Sequence, residues 1–164
     1  MQVIQRYLAV ATLSMLALPA LTTSAQAVAS CRAVPAEISG PMLARVNAER
    51  RAQGLRPLQL DAKLTRAAQG HACDMATKGF FDHHGSDGKT PKTRVKRAGY
   101  RTCLTAENIS FGWRSVDQVM QDLMQSPKHR ANILRGSVQE IGIGYVPRTG
   151  NQGPWWVQVF ANPC

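Results

Sequence analysis

Glu140-Ile141-Gly142-Ile143-Gly144-Tyr145-Val146 is the stretch that decides the fold, because it alternates in the manner of a strand. A second run, Trp155-Trp156-Val157-Gln158-Val159-Phe160, is rich in β-branched and aromatic residues and reads as its partner. Between them Pro147 to Pro154 is full of Gly, Asn and Pro and reads as a hairpin loop. Upstream the period changes. Leu64, Ala67, Ala68, His71, Ala72 and Met75 recur at three- and four-residue steps between an Asp61 cap and a Gly79 stop. So many alanines on one helical face imply close packing against a sheet or another helix. A first helix is expected from Pro41, capped by Ser39 or Gly40, with Met42, Leu43 and Val46 inward and Gly54 at its end. A short third helix opens at Thr90-Pro91 and closes at Gly99. A fourth runs from Ser115, with Gln118 completing a capping box, to Pro127. Helices followed by an antiparallel strand pair give an α+β fold, with helices covering a small sheet.

The ends of the chain bear on compartment. Arg6 precedes an apolar stretch from Tyr7 to Leu21, and small residues lead to Ala25-Gln26-Ala27. That is the layout of a cleavable export signal, too short and too soon interrupted by Pro19 for a membrane span. Cleavage after Ala27 is expected, with Ala27-Val28-Ala29 as a second site two residues on. Val28-Ala29-Ser30-Cys31 also has the form of a lipid-attachment box, but five polar or small residues separate it from the apolar core. The exported chain holds Cys31, Cys73, Cys103 and Cys164, an even number that suggests two bridges and leaves no thiol for lipid. Four cysteines allow three connectivities. None is spaced C-x-x-C, which argues against a structural zinc site or a redox pair.

Residues 1–27 are thus read as signal, 28–40 as an N-terminal segment and 41–164 as one domain, with no repeat or linker inside it. The exported 137 residues suffice for one core and are too few for two. The chain carries 20 Lys+Arg against 10 Asp+Glu, a surface that favours anionic partners. Arg45, Arg50, Arg51, Lys63 and Arg66 are spread along helices as a solvated face. Lys89, Lys92, Arg94, Lys96, Arg97 and Arg101 fall within 13 residues and form a candidate anion patch. Only Tyr100 interrupts that run, so base stacking has no platform and nucleic acid is disfavoured.

Four polar segments stand out. They are Phe80-Phe81-Asp82-His83-His84-Gly85-Ser86-Asp87-Gly88, Ala106-Glu107-Asn108-Ile109, Ser126-Pro127-Lys128-His129-Arg130-Ala131-Asn132-Ile133-Leu134, and Glu140 at the head of the strand. Two imidazoles and a carboxylate brought together could hold zinc or act as a general acid–base pair. The histidines are 46 residues apart, without any short-range ligand spacing.

Together with Val46-Asn47-Ala48-Glu49-Arg50, Asp87-Gly88-Lys89-Thr90-Pro91, Ala98-Gly99-Tyr100 and Trp156-Val157-Gln158-Val159-Phe160, and in this order, the segments resemble a bacterial CAP domain. That superfamily includes the cysteine-rich secretory proteins, antigen 5 and the pathogenesis-related 1 proteins. The resemblance covers roughly residues 41 to 160. It implies a three-layer α-β-α sandwich whose cleft holds two His and two acidic side chains. His83, Glu107 and His129 match three of the four. The fourth acidic position falls at Ser126, so Glu140 is the candidate to supply it, and Asn108 adjoins the set. The resemblance also implies Cys73 paired with Cys103, which leaves Cys31 with Cys164, tying one terminus to the other.

The expected function is a secreted or periplasmic binding module, monomeric and without catalysis, whose cleft takes a divalent metal such as zinc or a small ligand. The alternatives are a metal-assisted hydrolase using the same residues, since no G-x-S-x-G elbow or free cysteine is present, and a binder of lipid or an anionic envelope polymer through Lys89 to Arg101.

Overall fold

The computed structural model describes Cys31, residues 33–148 and residues 151–164; the export signal expected over residues 1–27 lies outside the described residues. In chain order the elements are α1 (Ala36–Ala52), β1 (Gln59–Leu60), α2 (Ala62–Lys78), α3 (Pro91–Arg97), β2 (Thr102–Phe111), α4 (Val116–Gln125), α5 (Pro127–Ile133), β3 (Glu140–Val146) and β4 (Trp155–Pro163). The strands form one sheet in the order β1-β3-β4-β2. The expected antiparallel pair is present, with Gly142 opposite Val159 and Gly144 opposite Val157. β2 runs antiparallel on the other side of β4, and β1 adds a short parallel pairing to β3.

Alternation along β4 feeds two cores, because successive side chains leave opposite faces. Trp155, Val157, Val159 and Ala161 join Leu64, Ala68, Ala72, Met75 and Val95 beneath α2 and α3. Trp156 and Phe160 join Met42, Val46, Val119, Leu123 and Ile133 beneath α1, α4 and α5. The sheet is therefore covered on both faces, and the chain builds the expected α-β-α sandwich.

The α2 layer lies directly on the backbone of β3. A Cβ added at Gly142 would overlap the Leu64 carbonyl, and one at Gly144 the Ala68 carbonyl. The alanines of α2 supply the matching lack of bulk on the helix. At that range the Gln69 amide bonds β3 itself, accepting from the Tyr145 N–H at 2.8 Å and donating to its carbonyl at 3.0 Å.

Four expectations need correction. Helix α1 begins at Ala36, not Pro41, and carries Pro41 inside it. The proline removes one donor. Its would-be acceptor belongs to exposed Glu37, where water can serve, while Ile38 gains contact with the α1-side core. Secondly, Arg50 is not on a solvated face. It is 1% exposed and donates to the carbonyls of Arg56, Ile133 and Arg135 at 2.9, 2.8 and 2.9 Å, fixing the end of α5. Thirdly, the segments around Glu107 and His129, read as polar stretches, are the strand β2 and the helix α5. Finally, the disulfides join Cys31 to Cys73 and Cys103 to Cys164. The pairing of β2 with β4 is the reason for the second bridge: Thr102 lies opposite Pro163, and the Cys164 N–H donates to the Arg101 carbonyl. Each terminus is tied to a core element rather than to the other terminus. The bridges span 42 and 61 residues, and each is worth roughly 4 kcal/mol in the chain-entropy view.

Two outcomes follow. Peptide mapping of the non-reduced protein should recover Cys31–Cys73 and Cys103–Cys164; a Cys73–Cys103 peptide would contradict the fold. Gly144→Ala should cost about 3 kcal/mol or more in denaturant unfolding, since helix backbone has no room to yield. Gly70→Ala, on the open side of the same helix, should stay within about 1 kcal/mol of the parent.

Candidate functional site

β2 is an edge strand, and its neighbours Glu107 and Asn108 leave it toward opposite layers. Glu107 enters the α2 layer with its side chain 1% exposed. There His83 Nδ1 lies 2.9 Å from Oε1, and Arg94 of α3 donates to Oε2 at 2.7 Å. His71 of α2 stands behind them, its Nε2 3.8 Å from Oε1. Asn108 enters the α5 layer and donates to the His129 carbonyl at 3.1 Å and to Gln158 Oε1 at 3.2 Å.

Asn132 bridges the two sides of the strand. Its amide donates to the Glu107 carbonyl at 3.2 Å and to Asn108 Oδ1 at 2.9 Å. An edge strand leaves outward backbone groups unpaired, and here α5 satisfies one of them. The same contact sets α5, and His129 with it, beside the strand. Pro127 opens α5 at a position where its missing N–H costs nothing.

The loop bearing His83 is held by its own polar groups. Asp82 Oδ1 accepts the His84 N–H, Asp74 accepts the Ser86 N–H and hydroxyl, and Arg94 Nη1 donates to the carbonyls of His83 and Lys89 at 2.9 and 2.7 Å. The Asp82 carbonyl lies 2.9 Å from His71 Nε2. A carbonyl only accepts, so that nitrogen carries a proton, and buried His71 tethers the loop to α2. Arg94 therefore locks three things at once: the loop, the carboxylate and α3.

Burial is the main force on two of the imidazoles. It pushes His71 below its ordinary value, with Glu107 opposing, and pushes His129 down, with Asp122 opposing and His83 adding to the fall. His83 is different. Its side chain is 47% exposed, and the hydrogen bond to Glu107 raises it above its ordinary value. Nδ1 of this half-exposed ring is engaged by Glu107, and among the described residues Nε2 has no hydrogen-bond partner.

The structure puts His83 on Glu107 and Asn108 on the His129 carbonyl, with Arg94 and His71 around Glu107 and Asn132 and Asp122 on the α4–α5 side. Asp122 of α4 accepts from the Ser110 hydroxyl at 3.3 Å and acts on His129. Little in the chain's local pattern points to Arg94, His71, Asn132 or Asp122. His71 reads as one more core position on its helix, and Arg94 as one cation in a run.

Glu140 is not part of the site. β4 lies between β3 and β2, and the Tyr100 hydroxyl donates to Glu140 two strands away from Glu107. Ser126 is the junction residue between α4 and α5, donating through its N–H to the Asp122 carbonyl. The expected anion patch is divided. Arg94 is turned inward, Lys89 and Arg97 pair with Asp87 at 2.6 and 3.2 Å, and Lys92, Lys96 and Arg101 are exposed.

Among the described residues no three His, Cys, Asp or Glu side chains converge as metal ligands. Both Glu107 oxygens are engaged, so His83, Glu107 and His129 do not fit a three-ligand zinc set. Among the described residues no hydroxyl or thiol is hydrogen-bonded to the ring of His83 or His129, and all four cysteines are bridged. What the arrangement offers is an oriented imidazole, able to donate or accept at Nε2.

The pH dependence follows from His83. Its value is raised in the folded state, so its contribution is complete below about pH 6.5 and is lost as pH rises through its own titration. The stability gap between the parent and His83→Gln should therefore be larger at pH 5.5 than at pH 8.5. The His83 titration followed by NMR should move downward in Glu107→Gln.

A model of the cysteine-rich secretory protein family, CAP, matches residues 43–160. The uncharacterized protein YkwD of Bacillus subtilis is 38% identical over 114 residues, 70% of this chain and 43% of that protein. The chain thus spans less than half the length of that relative. An extracellular protein containing an SCP domain from Bacillus anthracis superposes with a TM-score of 0.67 at 24% identity, over 75% of this chain and 39% of that one. An outer surface protein from Borrelia burgdorferi gives a TM-score of 0.71 at 19% identity, over 80% of this chain and 97% of that one. Both structural likenesses concern the fold.

Proposed function

The chain belongs to the cysteine-rich secretory protein family, and on that premise we propose that it is an exported, non-catalytic binding module whose cleft at His83 and His129 takes a small ligand. The observation that carries the reading is the saturated dyad behind His83. Glu107 is held by Arg94, His83 is held by Glu107, and only the Nε2 side of that ring is left for an incoming molecule. A hydrolase would need an activated nucleophile beside such an imidazole. Ser110 is bonded to Asp122 and Ser86 to Asp74, and among the described residues no hydroxyl bonds the ring of His83 or His129.

Export is supported by the leader-like residues 1–27 and by two disulfides, which persist in oxidising compartments. It accords with the extracellular and outer-surface proteins that share the fold. No described helix is long and apolar enough to cross a membrane.

Produced with its leader, the protein should be recovered outside the cytoplasm with Val28 as its first residue. The purified product should leave casein and simple ester substrates unchanged, with or without added zinc. Turnover that disappears in both His83→Gln and His129→Gln would replace the binding reading with a hydrolytic one.

A further inference from the structure

Trp113, just past the end of β2, is 40% exposed yet stands on a backbone fixed from three sides. Its carbonyl accepts the Trp156 indole N–H at 2.8 Å. The Gly112 N–H before it donates to the Pro154 carbonyl at 2.9 Å, and the Arg114 N–H after it donates to Gln118 Oε1 at 3.0 Å. A lone exposed aromatic is ordinary on a protein surface. One on a fixed backbone loses less freedom when another molecule packs against its ring.

Trp113 does not stand alone. Gln118, Gln121, Asp122 and Gln125 fall at i, i+3, i+4 and i+7 and so share one side of α4, while Val119, Met120 and Leu123 are buried on the other. With Trp113 they line a recess of about 180 Å³. Asp122 Oδ2 accepts the Ser110 hydroxyl at 3.3 Å. Among the described residues, Asp122 Oδ1 and the side-chain amides of Gln121 and Gln125 have no hydrogen-bond partner.

Charge narrows what could enter. In a chain with 20 Lys+Arg, α4 is the one described helix that carries neither. The recess therefore offers no cation to an acid group. One carboxylate and three amides on a single helix face do not surround a calcium ion, which takes about six to eight oxygens. A purely apolar molecule would cover the amides without replacing their hydrogen bonds to water. A neutral polyhydroxylated ring meets every condition. The C–H groups of its flat face pack on the indole, and its hydroxyls both donate to Asp122 and exchange hydrogen bonds with the amides. The recess is smaller than the roughly 300–1,000 Å³ of pockets that enclose a whole drug-sized ligand, so it suits one ring of a longer chain.

We propose that Trp113 and the Gln118–Gln125 side of α4 form a subsite for one sugar ring of a neutral glycan. The subsite does not involve His83 or Glu107, and it stands or falls apart from the proposed function of their cleft.

The test uses the full exported chain with both disulfides formed. Cellohexaose, the hexamer of N-acetylglucosamine and heparin are titrated separately at constant ionic strength. The Trp113 indole N–H and the side-chain amides of Gln121 and Gln125 are followed by NMR. At least one neutral hexamer should move all three along a single saturating curve in the millimolar range, and the tighter of the two identifies the sugar class. Trp113→Ala keeps the carbonyl that Trp156 bonds and should weaken binding by about tenfold, or about 1.4 kcal/mol. Gln121→Ala, at an exposed helix position, should weaken it in the same direction and carries the test if Trp113→Ala loses the native near-UV spectrum. His83→Gln should leave the affinity unchanged. No response to either neutral hexamer would overturn the inference, as would undiminished affinity in the variants. A response to heparin alone would replace the neutral glycan with an anionic one. Movement of the same resonances with protein concentration, sugar absent and no further change on adding it, would make this face a contact between copies of the chain and overturn the inference too.

Discussion

Where α2 crosses β3, the backbone of the helix at Leu64 and Ala68 rests on Gly142 and Gly144 with no side chain between them. That contact fixes the height and direction of α2 over the sheet. Because Leu64, Ala68, His71 and Met75 follow one another on a single helical face, the helix that sits on β3 also carries His71 across to Glu107 on β2. The same helix supplies Cys73 for the bridge to Cys31. The glycines are therefore structural determinants of the cleft, although neither is part of it.

A buried carboxylate is costly unless it is paired. Glu107 lies on the edge strand, where a charged group would usually turn to water. Its partners come from three separate places in the chain: the loop at His83, helix α3 at Arg94 and helix α2 at His71. The other side of the strand repeats the solution with neutral groups, as Asn108, Asn132, Gln158 and the His129 carbonyl form a chain of hydrogen bonds. The edge of the sheet is thus closed by polar contacts, and the cleft lies where the two sides meet.

Apolar periodicity makes α2, α4, β3 and β4 legible, because their buried faces are uniform enough to reveal a period. β2 is not legible in this way. Thr102, Thr105, Glu107, Asn108 and Ser110 interrupt its pattern, since the strand is covered on both faces and half its side chains are engaged in polar contacts. α5 escapes for a related reason: seven residues are too few to show an amphipathic face, and Asn132 and His129 serve the cleft. Arg50 reads as solvated because a buried arginine held only by carbonyls leaves no charge partner to find in the sequence.

Local period, turn chemistry and motif order are properties of the chain, and they were enough to give the α+β class, the two-strand core of the sheet, the cysteine count and the two residues, His83 and Glu107, that the fold puts in contact. The bridges, the exclusion of Glu140 and the role of Arg94 emerged only from the folded arrangement. Each depends on strand order, which sets Thr102 against Pro163, places β4 between Glu140 and Glu107, and brings α3 over the edge of β2. Strand order is a long-range property, settled by which surfaces can be buried together, and no single segment carries it.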